Sequence, residues 1–312
     1  MNQFIKYCLL NEIDERRINL PKNISTCHLD NNEVQYLIAS GALVKERDGG
    51  ELDNIRVNFF EGFTNQILTH FNLKDLNFKF IANFNDGPHR EQPETRFSFA
   101  RPKNSPHICV PDSHLPRVSS ICKNLNQIDI PYGDKLNKIS FFGSDTGKRY
   151  ENGVCQRTNL CKIYAGHEDI IAKITNFVDG RDDASIAHPY ISIKDQLKYK
   201  FILNVNGNTT SWERLIWALS SNSICIFLKP PIQQDEISWY YHIFDVFRPF
   251  IYLDELSLEN LIIGSDLFEE FLVNLKKDQK ILGESLAQPN FHAVYYCNVL
   301  MNYNKIYNEQ NK

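Results

Sequence analysis

The stretch KYKFILNVNGNTTSWERLIWALSSNSICIFLK, Lys198 to Lys229, carries the reading of the fold. Phe201, Ile202, Leu203 and Val205 form an apolar run that suits a buried strand. A small polar loop follows, Asn206-Gly207-Asn208-Thr209-Thr210-Ser211. Next comes a segment with Arg214 and an apolar face, then a second β-rich run from Ser223 to Leu228 that closes on Lys229. A strand, a small-residue loop and a helix start direct free backbone N–H groups at one spot, which suits an anion. An arginine one turn into that helix can grip the same anion with two N–H groups. The expectation is a phosphate or carboxylate ligand at the end of a strand.

Working outward, Lys138-Ile139-Ser140-Phe141-Phe142 predicts another strand. It runs into a second small-residue loop, Gly143-Ser144-Asp145-Thr146-Gly147, trailed by Lys148, Arg149 and Arg157. A helix is expected over roughly 163–178, and helices almost throughout from Leu258 to Tyr307. In the first half, Phe63, Ile67 and Phe71 recur at a spacing of four, as in a helix. Phe78, Phe80, Ala82 and Phe84 alternate as in a strand, which meets the turn signal Asn85-Asp86-Gly87-Pro88. Residues 1–55 read as polar and mixed, with Lys45–Asn54 an exposed loop. Between Pro88 and Pro131 lie seven of the 13 prolines, so that stretch reads as irregular. Asp129–Asn137 reads as a linker between domains. Strands alternating with helices argue for parallel sheets, whose ligands bind at the carboxyl ends of the strands.

A chain of 312 residues accommodates two α/β domains. We expect an N-terminal domain over 1–132, a nucleotide-binding domain over 133–275 and terminal helices over 276–312 that pack back toward the first domain. The net charge of −4 gives no electrostatic footprint of a nucleic-acid binder. The eight cysteines contain no CxxC pair and no Cys/His zinc spacing, and read as reduced core residues of a cytoplasmic protein. The opening MNQFIKYCLLNEIDERR has too short an apolar stretch for a signal peptide. No window approaches the roughly 18 apolar residues of a membrane span. A membrane-bound substrate would therefore be approached from the surface.

Neither small-residue loop matches GxxxxGK[ST] or GxGxxG, and each alone also reads as a plain turn. Together, with an arginine after each, they suggest a nucleotide-type ligand. No run of acids offers a magnesium cage, so cationic side chains and helix ends would carry the diphosphate charge. Asp86 ends a strand and could act as a general base, although Asn-Asp-Gly-Pro is also an ordinary turn. His107, Asp112 and Glu236 are further candidates for a cleft, against the plainer reading of exposed loop residues. Lys229 closes an apolar strand, which by itself marks only a strand end. The group Trp239, Tyr240, Tyr241, Phe244 and Phe247 reads mostly as core.

These blocks resemble glycosyltransferase family 90, which holds Rumi-type protein O-glucosyltransferases, fungal capsule xylosyltransferases and bacterial lipopolysaccharide or surface-glycan enzymes. KYKFILNVNGNTTSWERL resembles the family's K-Y…G block with its following arginine. NSICIFLK and WYYHIFDVFRPFIYL resemble its S-L-V-x-K and F-x-x-L-x-P-W-x-H-Y-I-P blocks. FFGSDTG with Arg157 resembles F-R-G-S-x-T-G, and FIANFNDGPHREQP resembles the block that holds the catalytic aspartate. The resemblance implies a GT-B-like α/β fold: two Rossmann-like domains facing a central cleft, with C-terminal helices. It implies inverting transfer from a UDP-sugar donor to a hydroxyl of a glycan or glycolipid acceptor, with no essential metal and no cofactor. Asp86 takes the place of the base. Arg157, Arg214, Lys229 and the loop residues Gly143, Ser144, Thr146, Gly207, Asn208, Thr209, Thr210 and Ser211 take the donor-binding places. The Gly207–Arg214 spacing is one residue longer than in the animal and fungal members, so Glu213 and Arg214 compete for the arginine position. The acceptor implied is lipopolysaccharide core, O-antigen or capsule, met in the cytoplasm or at the inner face of the cytoplasmic membrane. The rival reading is a non-catalytic nucleotide-sugar or glycan-binding protein on the same fold.

Overall fold

The computed structural model describes residues 18–20, 24, 27–85, 94–178, 183–210, 213–230, 236–246 and 249–311. In chain order the elements are β1 (Glu33–Ala39), β2 (Ala42–Asp48), α1 (Asn54–His70), β3 (Phe78–Asn83), β4 (Phe97–Ser98), β5 (Ala100–Pro102), β6 (Ile108–Cys109), α2 (Leu115–Ile128) and β7 (Leu136–Ser144). They continue as α3 (Gln156–Ile163), β8 (Ile170–Asn176), α4 (Ile193–Gln196), β9 (Tyr199–Asn204), α5 (Glu213–Ser220), β10 (Ile224–Leu228), β11 (Glu236–Ser238) and α6 (Tyr241–Val246). The last are β12 (Ile251–Leu253), α7 (Leu258–Gly264), α8 (Glu269–Leu286) and α9 (Pro289–Gln310). The chain is a mixed α/β protein with a parallel sheet and C-terminal helices.

Two compact units emerge. One comprises Met1–Leu115, Asp235–Phe247 and Pro289–Lys312, the other Pro116–Gln234 and Arg248–Gln288. The units are interleaved in sequence, whereas composition suggested contiguous domains. Helix α9 belongs to the first unit and α8 to the second.

The first unit holds a five-stranded sheet in the order β2-β1-β3-β4-β6. It is mixed, not parallel: β1 pairs antiparallel with both β2 and β3, while β3, β4 and β6 run parallel. The expected exposed loop at 45–54 is partly strand β2. The hairpin turns through Ser40 and Gly41, whose φ angles of 52° and 77° match the twist of a two-residue turn. Helix α1 starts where the Asp53 carboxylate accepts the N–H groups of Ile55 and Arg56. It buries Val57, Phe60, Thr64, Ile67 and Leu68, at helical spacing. An aromatic core of Tyr36, Phe60, Phe80, Phe97 and Tyr303 joins β1, α1 and β3 to α9. The Thr64 and Tyr296 hydroxyls meet at 3.0 Å within it.

In the second unit the five strands lie in the order β12-β10-β9-β7-β8, all parallel. Ile139, Phe141, Phe201, Leu203, Val205, Ile224 and Ile226 fill one face of the sheet. The helix expected over 163–178 is mostly strand β8, because Ile170, Ala172 and Ile174 are buried at a period of two. The helical part lies earlier, in α3. Helix α2 occupies part of the stretch that reads as irregular. It tolerates Pro116 because a first-turn residue has no intrahelical N–H bond to lose.

The expected linker at 129–137 is a buried clamp of the second unit. Lys135 donates to the carboxylate of Asp129 and to the carbonyl of Leu197, and Asp129 accepts the N–H of Asn222. A linker is exposed and makes few contacts; both of these side chains are almost fully buried. Burial pushes the Lys135 ammonium below the usual lysine range. The clamp ties the entry of β7 to the entries of β9 and β10.

On the other side of β10, Gln279 of α8 bonds both backbone groups of Cys225 at 2.8 Å. Helices α8 and α5 touch backbone to backbone. A Cβ on Gly283 would lie 2.3 Å from the Ser220 nitrogen. Among the described residues no helix is long and apolar enough to cross a membrane. We expect Gly283→Ala to destabilise the fold by about 1–3 kcal/mol through this overlap. Urea unfolding checks it, and an unchanged midpoint would show that the two helices can separate at no cost.

Candidate functional site

From β7 the chain passes to β8 on one side and then returns to β9 on the other side of β7. A reversal of this kind leaves a crevice outside the carboxyl ends of the two central strands, where open α/β sheets bind ligands. Both small-residue loops leave from that edge. They touch each other: a Cβ on Gly147, whose φ is 135°, would lie 3.0 Å from the Asn206 carbonyl oxygen.

Two arginines cross at this edge. Arg157 lies in α3, beyond β7, and its Nη2 donates to the carbonyl of Val205, just beyond β9 (2.8 Å). Arg214 lies in α5, after β9, and its Nη2 donates to the carbonyl of Phe142 in β7. Each guanidinium faces the glycine of the opposite loop. A Cβ on Gly207 would meet Arg157 Nη2 at 3.3 Å, and one on Gly143 would meet Arg214 Nη2 at 3.6 Å. Both lie over the ring of Phe141, at 5.7 and 5.3 Å from its centroid.

No carboxylate among the described residues pairs with either arginine. Nη1 of Arg157 reaches the Ser144 and Thr146 hydroxyls at 3.3 and 3.2 Å, long for such bonds. Those hydroxyls lie 2.8 Å apart. Its Nε is buried without a partner. Nη1 of Arg214 donates to the Gln196 amide oxygen at 3.1 Å. Burial lowers both guanidinium pKa values to about 10, and for Arg214 the neighbouring Arg157 cation adds to the effect. Both stay charged at neutral pH. Two cations held by carbonyl and amide dipoles, beside two hydroxyls, make this edge a candidate anion site.

Glu213 and Arg214 have different partners. Glu213 turns to Arg117, 3.3 Å away, while Arg214 reaches the strand edge. Beside Arg214 lies a cavity of about 240 Å³ lined by Phe142, Gly143, Gln196 and Trp217, and also by the paired Arg117 and Glu213. Sequence reasoning missed Gln196. It also missed Asn204, the last residue of β9, which is buried with neither amide atom hydrogen-bonded. The signal for Asn204 was a polar residue inside an apolar strand.

Thr209 and Thr210 are buried and Asn208 is exposed; Ser211 lies outside the described residues. The Lys229 side chain is exposed, and its backbone bonds to Leu253 and Gln156. His107 and Asp112, read as loop residues with a place in a cleft, are each only 2% exposed in the first unit. His107 Nδ1 accepts the Arg96 N–H, and Asp112 accepts the His114 N–H. Both serve the local backbone. Glu236 lies in β11 opposite Pro102. Asp86 lies outside the described residues.

The strand exit before Asp86 is held firmly. Buried Glu33 accepts from Asn83 (2.9 Å) and Arg96 (3.3 Å). The Asn83 amide oxygen accepts the N–H of Asn85, Asn32 donates to the Asn85 amide oxygen, and Arg56 donates to the carbonyl of Phe84. Among the described residues no group of three or more His, Cys, Asp or Glu side chains could hold a metal ion.

Compared with known protein families the chain matches no family model. Compared with curated proteins it shows no significant match. The site therefore rests on its own geometry. Removing a charged hydrogen-bonding partner costs about 1.5–3 kcal/mol. We expect Arg214→Ala to weaken pyrophosphate binding about tenfold to a hundredfold, and Glu213→Ala to leave it nearly unchanged. Titration calorimetry separates them; the reverse order would assign the anion to the Glu213 side of the helix.

Proposed function

We propose that the protein is an inverting, metal-independent glycosyltransferase that moves a sugar from a UDP-sugar to a hydroxyl of a surface glycan such as lipopolysaccharide core, O-antigen or capsule. The observation that carries this reading is the pair of crossed guanidinium groups, without a carboxylate partner among the described residues, at the strand reversal of a parallel sheet. A diphosphate supplies the missing negative charge. The sequence blocks that resemble glycosyltransferase family 90 coincide with the two loops and their arginines.

In this proposal the arrangement is of GT-B type: the second unit binds the donor, and the first supplies Asp86. The Asp86 carboxylate takes the proton of the acceptor hydroxyl as its oxygen attacks the anomeric carbon. The bond from that carbon to the β-phosphate oxygen breaks, and UDP leaves with the electron pair. Arg157, Arg214 and the Ser144 and Thr146 hydroxyls stabilise the charge that develops on the departing diphosphate. One in-line displacement inverts the centre, and fixed cations fill the place a metal would take. The network around Glu33, Asn83 and Arg96 holds the strand exit that leads to the base. The reaction is placed in the cytoplasm, with membrane contact only through the acceptor.

Two measurements test the reading. A thermal-shift panel of nucleotide sugars identifies the donor, since a ligand at a hundred times its Kd adds about 2.7 kcal/mol to stability. Asp86→Asn should retain UDP affinity within about twofold and lose transfer by about a hundredfold or more. Transfer at the wild-type rate would remove Asp86 from the mechanism. UDP binding with no transfer or hydrolysis of any donor would favour a binding protein.

A further inference from the structure

The corner where α7 meets α8 exposes large apolar side chains. Ile263 is 77% exposed, Leu267 84%, Phe268 61% and Phe271 56%, and further along α8 Ile281 is 51% exposed. Single exposed apolar residues are ordinary on a protein surface. Here four fall within nine residues of chain, which marks a docking surface. The opposite side of α8 is already used: Leu272, Leu275, Gln279, Leu282 and Leu286 are buried.

The charge pattern names the occupant. From Tyr252 to Leu275 the chain has six acidic residues and no lysine or arginine; Lys276, Lys277 and Lys280 follow. Lys280 donates to Asn222 and Lys276 lies over the Tyr132 ring, so both are engaged within the unit. Glu270, Asn274, Lys277 and Ile281 recur at spacings of four, three and four, and so share one line along the helix. Glu270 and Lys277 are without ion-pair partners among the described residues. An anionic bilayer would repel the acidic corner, and a parallel second copy would set acid against acid. An antiparallel second copy sets the acidic end of one α8 against Lys277 of the other, and it also opposes the helix dipoles.

We propose that the exposed ridge of α8, with the turn that precedes it, pairs two copies of this chain antiparallel about Asn274, with Leu267 of that turn in each near Ile281 of the other and Glu270 beside the opposite Lys277. The contact is isologous, so every pairing occurs twice and the assembly closes as a dimer. It is independent of the catalytic reading, because neither arginine of the crevice takes part.

Charge reversal tests it. Analytical ultracentrifugation across the micromolar range should show a concentration-dependent dimer that weakens with salt. Glu270→Lys and Lys277→Glu should each raise the dissociation constant about tenfold or more. The double variant, or a mixture of the two single variants, should restore pairing. Both positions are on the surface, and circular dichroism melts check that the variants fold. A wild type that stays monomeric at all concentrations overturns the proposal, as does a dimer that neither reversal weakens. Flotation of monomeric protein with neutral phosphatidylcholine vesicles would instead assign the corner to a lipid surface.

Discussion

Two like charges held close together in a folded chain need a reason. Arg157 and Arg214 share the ring of Phe141 and the carboxyl edge of β7 and β9, and among the described residues no carboxylate neutralises them. Carbonyl dipoles hold the guanidinium groups in place without cancelling their charge. Such an arrangement costs the free protein stability and returns it when an anion binds. The rest of the second unit makes that arrangement rigid.

The rigidity comes from both ends of the sheet. At the entry edge, the buried Lys135–Asp129 pair joins the starts of β7, β9 and β10. A buried ion pair of this kind contributes little net stability, but losing one partner is costly, so it holds register more than it adds energy. At the exit edge each arginine bonds to the strand that its own helix does not follow. The crossing ties α3 to the end of β9 and α5 to the end of β7. Glycine is needed at 147 because its φ of 135° is one that residues with a side chain rarely adopt. A Cβ at position 143 would lie 2.9 Å from the Phe141 ring, and one at 207 would lie 3.3 Å from the Arg157 guanidinium, so both positions stay small.

In the first unit, the polar side chains around the end of β3 form a network out of proportion to a simple turn. Glu33 is fully buried and is satisfied by Asn83 and Arg96. Buried networks of this kind fix one conformation when every member is satisfied. Here they fix the backbone through Asn85, the residue before the proposed base. The aromatic core beneath, joined by α9, supplies the platform.

Much of this was legible in the chain itself. The apolar runs at 139–142, 201–205 and 224–228 are interrupted only by Ser140 and Asn204, because strands of a parallel sheet are buried on both faces. The Gly-Ser-Asp-Thr-Gly and Asn-Gly-Asn-Thr-Thr loops follow two of them directly, so a ligand edge was readable from local order alone. Period decided less well where elements are short. Ile170 to Ile174 reads as helix until burial shows the alternation, and β1 and β2 hide in a polar stretch because β1 carries the buried polar residues Glu33 and Gln35 and the edge strand β2 is largely exposed. Tertiary structure alone decided that Asp129 and Lys135 form a buried clamp, that His107 and Asp112 accept backbone N–H groups, and that Arg214 bonds to the edge of β7 while Glu213 pairs with Arg117. Those outcomes depend on which strands are neighbours. Strand order arises from packing between residues far apart in sequence, and no local pattern records it.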